Sequence, residues 1–234
     1  MNKWRKVLVA WSETDEHKLQ VARARDTVRR ALEKCKQPYV AFSGGKDSTC
    51  VLHLVLEQAP ETMVLHWDYG PYYIPRWLAN EFVQHARQLG AKNLRIETSP
   101  EYRRLKREAI NVLGREYLGK LVPRLRDEEG YDLVFLGLRG EESVKRRLKT
   151  KSKIWFENKI LNCAPIADWS WRDVWAYIFA HDLPYASVYD LYAPVVGIQN
   201  LRLTTFFDPE FDKFGSPNLD GILMWRHRHL DPGD

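Results

Sequence analysis

Tyr39-Val40-Ala41-Phe42-Ser43-Gly44-Gly45-Lys46-Asp47-Ser48 decides the fold of this chain. Its first four residues form a short apolar run suited to a buried strand. A helical pattern then opens at Ser48 and runs to about residue 58. Between strand and helix lie two glycines that let backbone N–H groups turn inward, a lysine for phosphate charge, and the hydroxyls of Ser43 and Ser48 at a helix N-terminus. Those features together describe an anion site. It is not the GxxxxGK[ST] phosphate loop, because the position of the first required glycine holds Val40.

Working outward, strand-like and helix-like segments alternate. Upstream, Val21, Ala24, Val28, Ala31, Leu32 and Cys35 recur at helical spacing among charges, which predicts an amphipathic helix over 13–36, ended before Pro38. Downstream the pattern predicts strands over 63–67, 94–97 and 133–138, a helix over 75–89 and helical segments over 101–129. Such alternation implies an α/β protein with a central parallel sheet and helices on both faces, a ligand lying beyond the carboxyl ends of the strands. The loops 43–48, 68–74 and 139–147 all follow strands, so they converge on that edge. Beyond residue 149 the pattern changes to two short strands, 153–156 and 159–162, around Glu157-Asn158, and then a helix over 170–181. The stretch 184–234 is rich in Pro, Gly, Asp and aromatics and predicts irregular structure. The expected organisation is an N-terminal helical segment over 1–36, a nucleotide-binding α/β domain over 37–190, and a C-terminal tail over 191–234 packed on that domain.

With 234 residues, 44% of them hydrophobic, the chain can fill a proper core. A net charge of +5 suits anionic partners such as nucleotides, sulfate or nucleic acid. Cys35, Cys50 and Cys163 are too far apart for a CxxC pair and too few for a disulfide framework, so a reducing, cytoplasmic setting is expected. No apolar run approaches the ~20 residues of a membrane helix, and no membrane partner is expected.

The hexapeptide Ser43–Ser48 resembles the PP-loop of the N-type ATP pyrophosphatases, and later segments narrow the resemblance to the branch holding phosphoadenylylsulfate reductases and the small subunit of ATP sulfurylase. Asp68-Tyr69-Gly70 is similar to that branch's Asp-Thr-Gly stretch. Gly137-Leu138-Arg139-Gly140-Glu141-Glu142-Ser143, followed by Arg146 and Arg147, is similar to its Gly-x-Arg…Glu-Ser…Arg segment. Ala164-Pro165-Ile166-Ala167-Asp168-Trp169 and Asp173-Val174-Trp175 resemble its Pro-Ile-x-Asp-Trp…Asp-Val-Trp signature, continued by Leu183-Pro184-Tyr185 and Tyr189-Asp190. The likeness thus runs in order from about Tyr39 to Asp190.

The resemblance implies a Rossmann-like adenine-nucleotide α-hydrolase fold and chemistry at an α-phosphate. Ser43, Gly44, Gly45, Lys46, Asp47 and Ser48 would hold the β- and γ-phosphates of ATP, or the corresponding anion of a sulfonucleotide (PAPS or APS). Lys46 and a Mg²⁺ touching Asp47, directly or through water, would neutralise leaving pyrophosphate. Asp68 would lie near the adenosine. Arg139, with Arg146 or Arg147, would contact phosphate or sulfate oxygens, and Gly137 belongs to the same segment. Lys46, Asp47 and Arg139 are the expected catalytic set, and the expected reaction turns ATP into an adenylylated product and pyrophosphate.

Two departures bear on the chemistry. The reductases carry a cysteine in a C-terminal Glu-Cys-Gly-Leu-His segment, whereas this chain has no cysteine after Cys163. The segment 197–206, where some relatives carry cluster cysteines, has none, so no iron-sulfur cluster is expected. A sulfonucleotide reductase would therefore need an external thiol, and a non-catalytic nucleotide-binding subunit with a protein partner is a third alternative. The run Lys145–Lys153 holds six basic residues in nine; a lid over the nucleotide or a solvated loop is favoured over a nucleic-acid contact. Cys163 is the better candidate for a reactive thiol than Cys50, with burial the expected state of both. Arg226-His227-Arg228-His229 reads as a solvated tail.

Overall fold

Tyr39 and Val40 are almost wholly buried, because their strand, β1 (Pro38–Ala41), is paired along both edges in the middle of a sheet, and Phe42, just after it, is buried as well. A computed structural model of the chain describes residues 2–71, 74–106, 108, 112–201 and 203. Two helices precede β1: α1 (Asn2–Ser12) and α2 (Asp15–Leu32). After it come α3 (Lys46–Leu56), β2 (Met63–Asp68), α4 (Arg76–Gln88) and β3 (Leu94–Thr98). Next is a broken helical stretch of α5 (Pro100–Leu105), α6 (Leu113–Glu116), a π-helical turn Tyr117–Leu121 and α7 (Val122–Asp127), leading to β4 (Leu133–Phe135). A 3₁₀ turn Gly140–Glu142, α8 (Val144–Lys149), β5 (Ile154–Glu157), β6 (Ile160–Cys163), α9 (Trp171–Ala180) and α10 (Val188–Val196) complete the order, with a last 3₁₀ turn Ile198–Asn200.

The six strands lie in the order β3-β2-β1-β4-β6-β5. All neighbours are parallel except β5 and β6, an antiparallel hairpin. Its turn residues Asn158 and Lys159 have φ of 54° and 62°, the left-handed pair that a two-residue hairpin requires. Strand order runs outward from β1 to β3 and then returns to the other side of β1, so by the right-handed crossover rule α3 and α4 cover one face and α5–α7 the other. The reversal leaves a crevice beyond the carboxyl ends of β1 and β4, where open α/β sheets bind ligands. The α/β expectation with a central parallel sheet holds.

Several local expectations are corrected. Helix α1 precedes the amphipathic helix expected over 13–36 as a separate element: Trp4, Leu8 and Trp11 form its inward face, and the helix packs on α9. Helix α2 is capped by Thr14, whose hydroxyl accepts from the His17 N–H, and ends at Leu32 rather than 36. The segment 184–203 is not irregular throughout, since α10 buries Val188, Tyr189, Tyr192 and Ala193 on one side. Pro194 inside that helix hid its period. Strand β4 stops at Phe135 instead of 138, leaving Leu136, Gly137 and Leu138 to the crevice wall.

The core is shared by all these elements. Ala24, Val28 and Ala31 of α2 are fully buried in the same apolar cluster as Val40, Val51, Phe135 and Trp175. The N-terminal helices therefore belong to the body that carries the sheet. The aromatic-rich segment after β6 acts as packing: Trp169 and Trp175 are both fully buried. No helix among the described residues is long and apolar enough to cross a membrane.

Candidate active site

The loop between β1 and α3 is closed on itself by side chain to backbone bonds. Ser48 Oγ donates to the Gly45 carbonyl at 2.8 Å, which leaves the same oxygen to accept from the Ser43 N–H at 3.3 Å and the Ser43 hydroxyl at 3.1 Å. Gly44 has φ +81°, and a Cβ built there would meet the Phe82 ring at 2.2 Å. Gly45 is the N-cap of α3 and offers no side chain to the first turn, so the amides of Asp47 and Ser48 are left to an external acceptor. The Lys46 N–H instead donates to the Tyr189 hydroxyl at 3.2 Å, which ties α10 to the loop.

From the neighbouring strand end, Gly137 comes so close that a Cβ would lie 2.7 Å from Ser48 N and 2.9 Å from the Asp47 carbonyl carbon. Two residues on, the buried Arg139 reaches back: its Nε donates to Asp47 Oδ1 at 2.5 Å. Asp47 Oδ2 accepts from the Lys46 ammonium at 2.9 Å, Lys46 itself being only 1% exposed. Burial opposes ionisation of Asp47, but Arg139 and Lys46 outweigh it and hold its carboxyl near pKa 2. Burial alone would lower Arg139, yet Asp47, Glu142 and Glu141 together raise its proton affinity, so it stays charged. Arg139 also pairs with Glu141, and Arg146 pairs with Glu142.

These loops frame a cleft of about 280 Å³. Ser43, Gly45, Asp47 and Ser48 form its polar floor, with Arg146 and Glu142 at one side. Phe42, Leu65, Trp67, Tyr69 and Tyr117 supply apolar and aromatic surface, and Tyr189 and Leu203 face them. A polar floor that suits phosphates beside an aromatic wall that suits a base is the shape a nucleotide needs.

The expected residues do not all meet there. Ser43, Gly45, Asp47, Ser48, Gly137 and Arg146 line the cleft. Lys46 and Arg139 stand behind it as partners of Asp47. Arg147 turns the other way, into a separate groove with Gly140, Trp169 and Ser170, so Arg146 is the member of the pair that reaches the cleft. Asp68 has other partners than an adenosine: Arg76 grips both its oxygens at 2.8 and 3.0 Å, and the Gly70 N–H donates to it at 2.8 Å. Tyr189, Tyr117 and Glu142 are cleft residues that site reasoning from sequence missed. Tyr189 and Glu142 carried a signal, through the Tyr189-Asp190 end and the Glu142-Ser143 pair of the family-like pattern, and Tyr117 carried none.

Half of the basic run is held by ion pairs. Besides Arg146, Lys149 pairs with Glu157 at 2.6 Å and Lys153 with Asp168 at 2.8 Å. The cysteines lie elsewhere. Burial pushes the Cys163 thiol up to about 12 and Cys50 well above its ordinary value; burial, then Asp132, raises Cys35 to about 11. The Arg226–His229 segment lies outside the described residues.

A strand–loop–helix unit at the switch point of a 3-2-1-4 parallel sheet places the chain in the class of open α/β proteins, which take ligands beyond their strand ends. The family model for the phosphoadenosine phosphosulfate reductase domain matches residues 37–201, and the chain belongs to that family, within the PP-loop ATP pyrophosphatase superfamily. An uncharacterized protein of Methanocaldococcus jannaschii is 31% identical over 175 residues, 70% of this chain and 36% of that protein; the chain thus spans about a third of that relative's length. Adenosine 5'-phosphosulfate reductase of Bacillus cereus is 24% identical over 211 residues, 86% of each chain. Phosphoadenosine 5'-phosphosulfate reductase of Xylella fastidiosa is 28% identical over 211 residues, 85% of this chain and 86% of its own. Among solved structures, the phosphate complex of Candida auris PAPS reductase aligns with TM-score 0.52 at 20% identity, over 81% of this chain and 89% of that one. Candida glabrata FMN adenylyltransferase with FAD and pyrophosphate aligns with TM-score 0.59 at 13% identity, over 92% and 82%. Both likenesses are of fold.

Proposed function

We propose that this chain is an enzyme that binds an adenine nucleotide with its terminal phosphates on the loop Ser43–Ser48, and that an acceptor oxyanion or other nucleophile attacks the α-phosphate of Mg-ATP as the α–β bridging bond breaks, giving an adenylylated acceptor and pyrophosphate. The observation that carries this reading is the uncapped first turn of α3 opening, with the Ser43 and Ser48 hydroxyls, onto the cleft floor. Family membership supports the nucleotide.

Charge around the loop says how the nucleotide arrives. Lys46, Arg139 and Arg146 are matched by Asp47, Glu141 and Glu142, so the ligand-free cluster is close to neutral. A polyphosphate therefore brings its own cation. Both Asp47 oxygens already accept from Arg139 and Lys46, which suits Mg²⁺ carried mainly by phosphate oxygens, with Asp47 contacting it through water. That ion would draw negative charge from the leaving pyrophosphate. The chain's own residues bind and orient: the loop amides hold phosphate oxygens, the Ser43 hydroxyl turns from Ser48 to join them, Arg139 fixes Asp47, and Arg146 exchanges Glu142 for a substrate oxygen.

A second reading, reduction of a sulfonucleotide, is favoured by the names of the Bacillus and Xylella relatives. It requires a thiol from another molecule, because the three cysteines here are buried or held protonated away from the cleft. Three measurements on purified protein separate the readings: nucleotide affinity, AMP and pyrophosphate release from Mg-ATP, and sulfite release from PAPS or APS with an added dithiol. Lys46→Met serves as control, with nucleotide affinity expected to fall about tenfold or more, or about 1.4 kcal/mol. If Lys46→Met binds every nucleotide as well as the natural chain, the loop is not the site. Binding without turnover would leave a nucleotide-holding subunit that works through a partner.

A further inference from the structure

Helix α3 has a second end, about 11 residues from the loop, and three metal-capable side chains meet there. His53 and Glu57 stand four residues apart, one above the other on the same helix face. His181, the C-cap residue of α9, comes over them from the helix packed against α3. One nitrogen from each imidazole and one Glu57 oxygen lie within 4.8 Å of one another, and the two imidazole centroids are 5.3 Å apart. We infer that His53, Glu57 and His181 form a binding site for one divalent ion of the zinc, nickel or cobalt class, holding the far end of α3 to α9.

The donor set selects the ion. Two imidazoles and a carboxylate suit borderline transition metals, whereas Mg²⁺ and Ca²⁺ prefer all-oxygen shells. Metal–ligand bonds of ~2.0–2.2 Å put tetrahedral donors about 3.4 Å apart, so the three donors, which lie within 4.8 Å of one another, must draw together around an ion. The His53 ring is held beside the carboxylate, since its Nδ1 lies 2.8 Å from the Tyr177 hydroxyl and 3.8 Å from Glu57 Oε1. All three side chains are half-buried or exposed, so an ion has a path in and a fourth position open to water.

One group works against the ion. Arg25 donates to both Glu57 oxygens at 3.0 Å, so guanidinium and metal compete for the same carboxylate. This competition sets a sign that a chance histidine pair would not produce: removing Arg25 tightens metal binding, and removing His181 loosens it.

The test uses untagged full-length protein in which His227→Ala and His229→Ala remove the C-terminal pair as rival ligands. Co²⁺ is titrated as the probe, read by its visible ligand-field absorption and by displacement with Zn²⁺. The expected result is one Co²⁺ per chain, weakened by about tenfold or more in His181→Ala and tightened in Arg25→Gln. If His181→Ala loses the native circular dichroism, Glu57→Gln takes its place, with the same weakening expected. Absence of cobalt absorption in excess metal overturns the site, as does an affinity that neither His181→Ala nor Glu57→Gln changes. An Arg25→Gln affinity no tighter than the parent's removes Glu57 from the ligand set and so overturns the three-ligand assignment.

Discussion

Gly44 and Gly137 shape the site from opposite sides, and they should fail differently when given a methyl group. At Gly44 the backbone is left-handed and the added carbon overlaps Phe82, so Gly44→Ala combines backbone strain with overpacking. We expect a stability loss of about 2–4 kcal/mol, measured by urea unfolding. Gly137→Ala presses on the backbone of Asp47 and Ser48, so nucleotide affinity should fall further than stability, read by calorimetric titration beside the same unfolding assay. Normal nucleotide binding by the Gly137→Ala variant would mean that the loop tolerates displacement and is not an ordered anion cradle. Sequence made the two loop glycines legible through their spacing with Lys46. The close approach of Gly137 was not legible, because it is a contact between segments about 90 residues apart.

At the level of elements, Asp173 shows how α1 and α2 are fastened to α9. Its carboxylate closes a capping box with Ser170, and it also accepts from the Trp11 indole at 2.9 Å and lies 3.2 Å from His17 Nδ1. Burial favours the protonated acid, but the donors from His17, Ser170 and Trp11 outweigh it and hold the carboxyl far below its usual range. A carboxylate whose folded pKa is depressed stabilises the protein fully above its ordinary value near ~4, and that contribution is lost as pH falls toward the folded value. Asp47, held near 2, adds a loss of the same sign. Urea midpoints should therefore drop steeply below about pH 4. Asp173→Asn should cost about 1–3 kcal/mol at pH 7 and flatten that drop; an unchanged pH profile would separate Asp173 from the effect. The box itself could be read from Ser170-Trp171-Arg172-Asp173, whereas its partners on α1 could not. Trp4, Leu8 and Trp11 make only one narrow stripe in a short, strongly basic helix.

For the molecule as a whole, the helical segment over 1–36 shares the core of the sheet. Ala24, Val28 and Ala31 are fully buried with the sheet, and α1 covers α9. A chain starting at residue 37 would bare that surface, and we expect it to lose cooperative thermal unfolding and to aggregate, as read by circular dichroism and light scattering. A sharp, reversible transition in the truncated chain would restore the N-terminal helices to the status of a separate segment.

Local period and short-range motif were enough to establish the strand–loop–helix unit, the alternation that makes a parallel sheet, and the family. The bare order of residues also shows that no cysteine follows Cys163. Three-dimensional packing was needed to settle which arginine enters the cleft, that Asp68 is taken by Arg76, that Lys46 and Arg139 converge on one carboxylate, and that Tyr189 of a proline-interrupted helix reaches the loop. One cause underlies all four. Charge pairing and burial depend on distances in space, across a loop as for Asp68 and Arg76 or between remote segments as for Asp47 and Arg139, and helical period fixes only which face a residue shares, not what is brought against it.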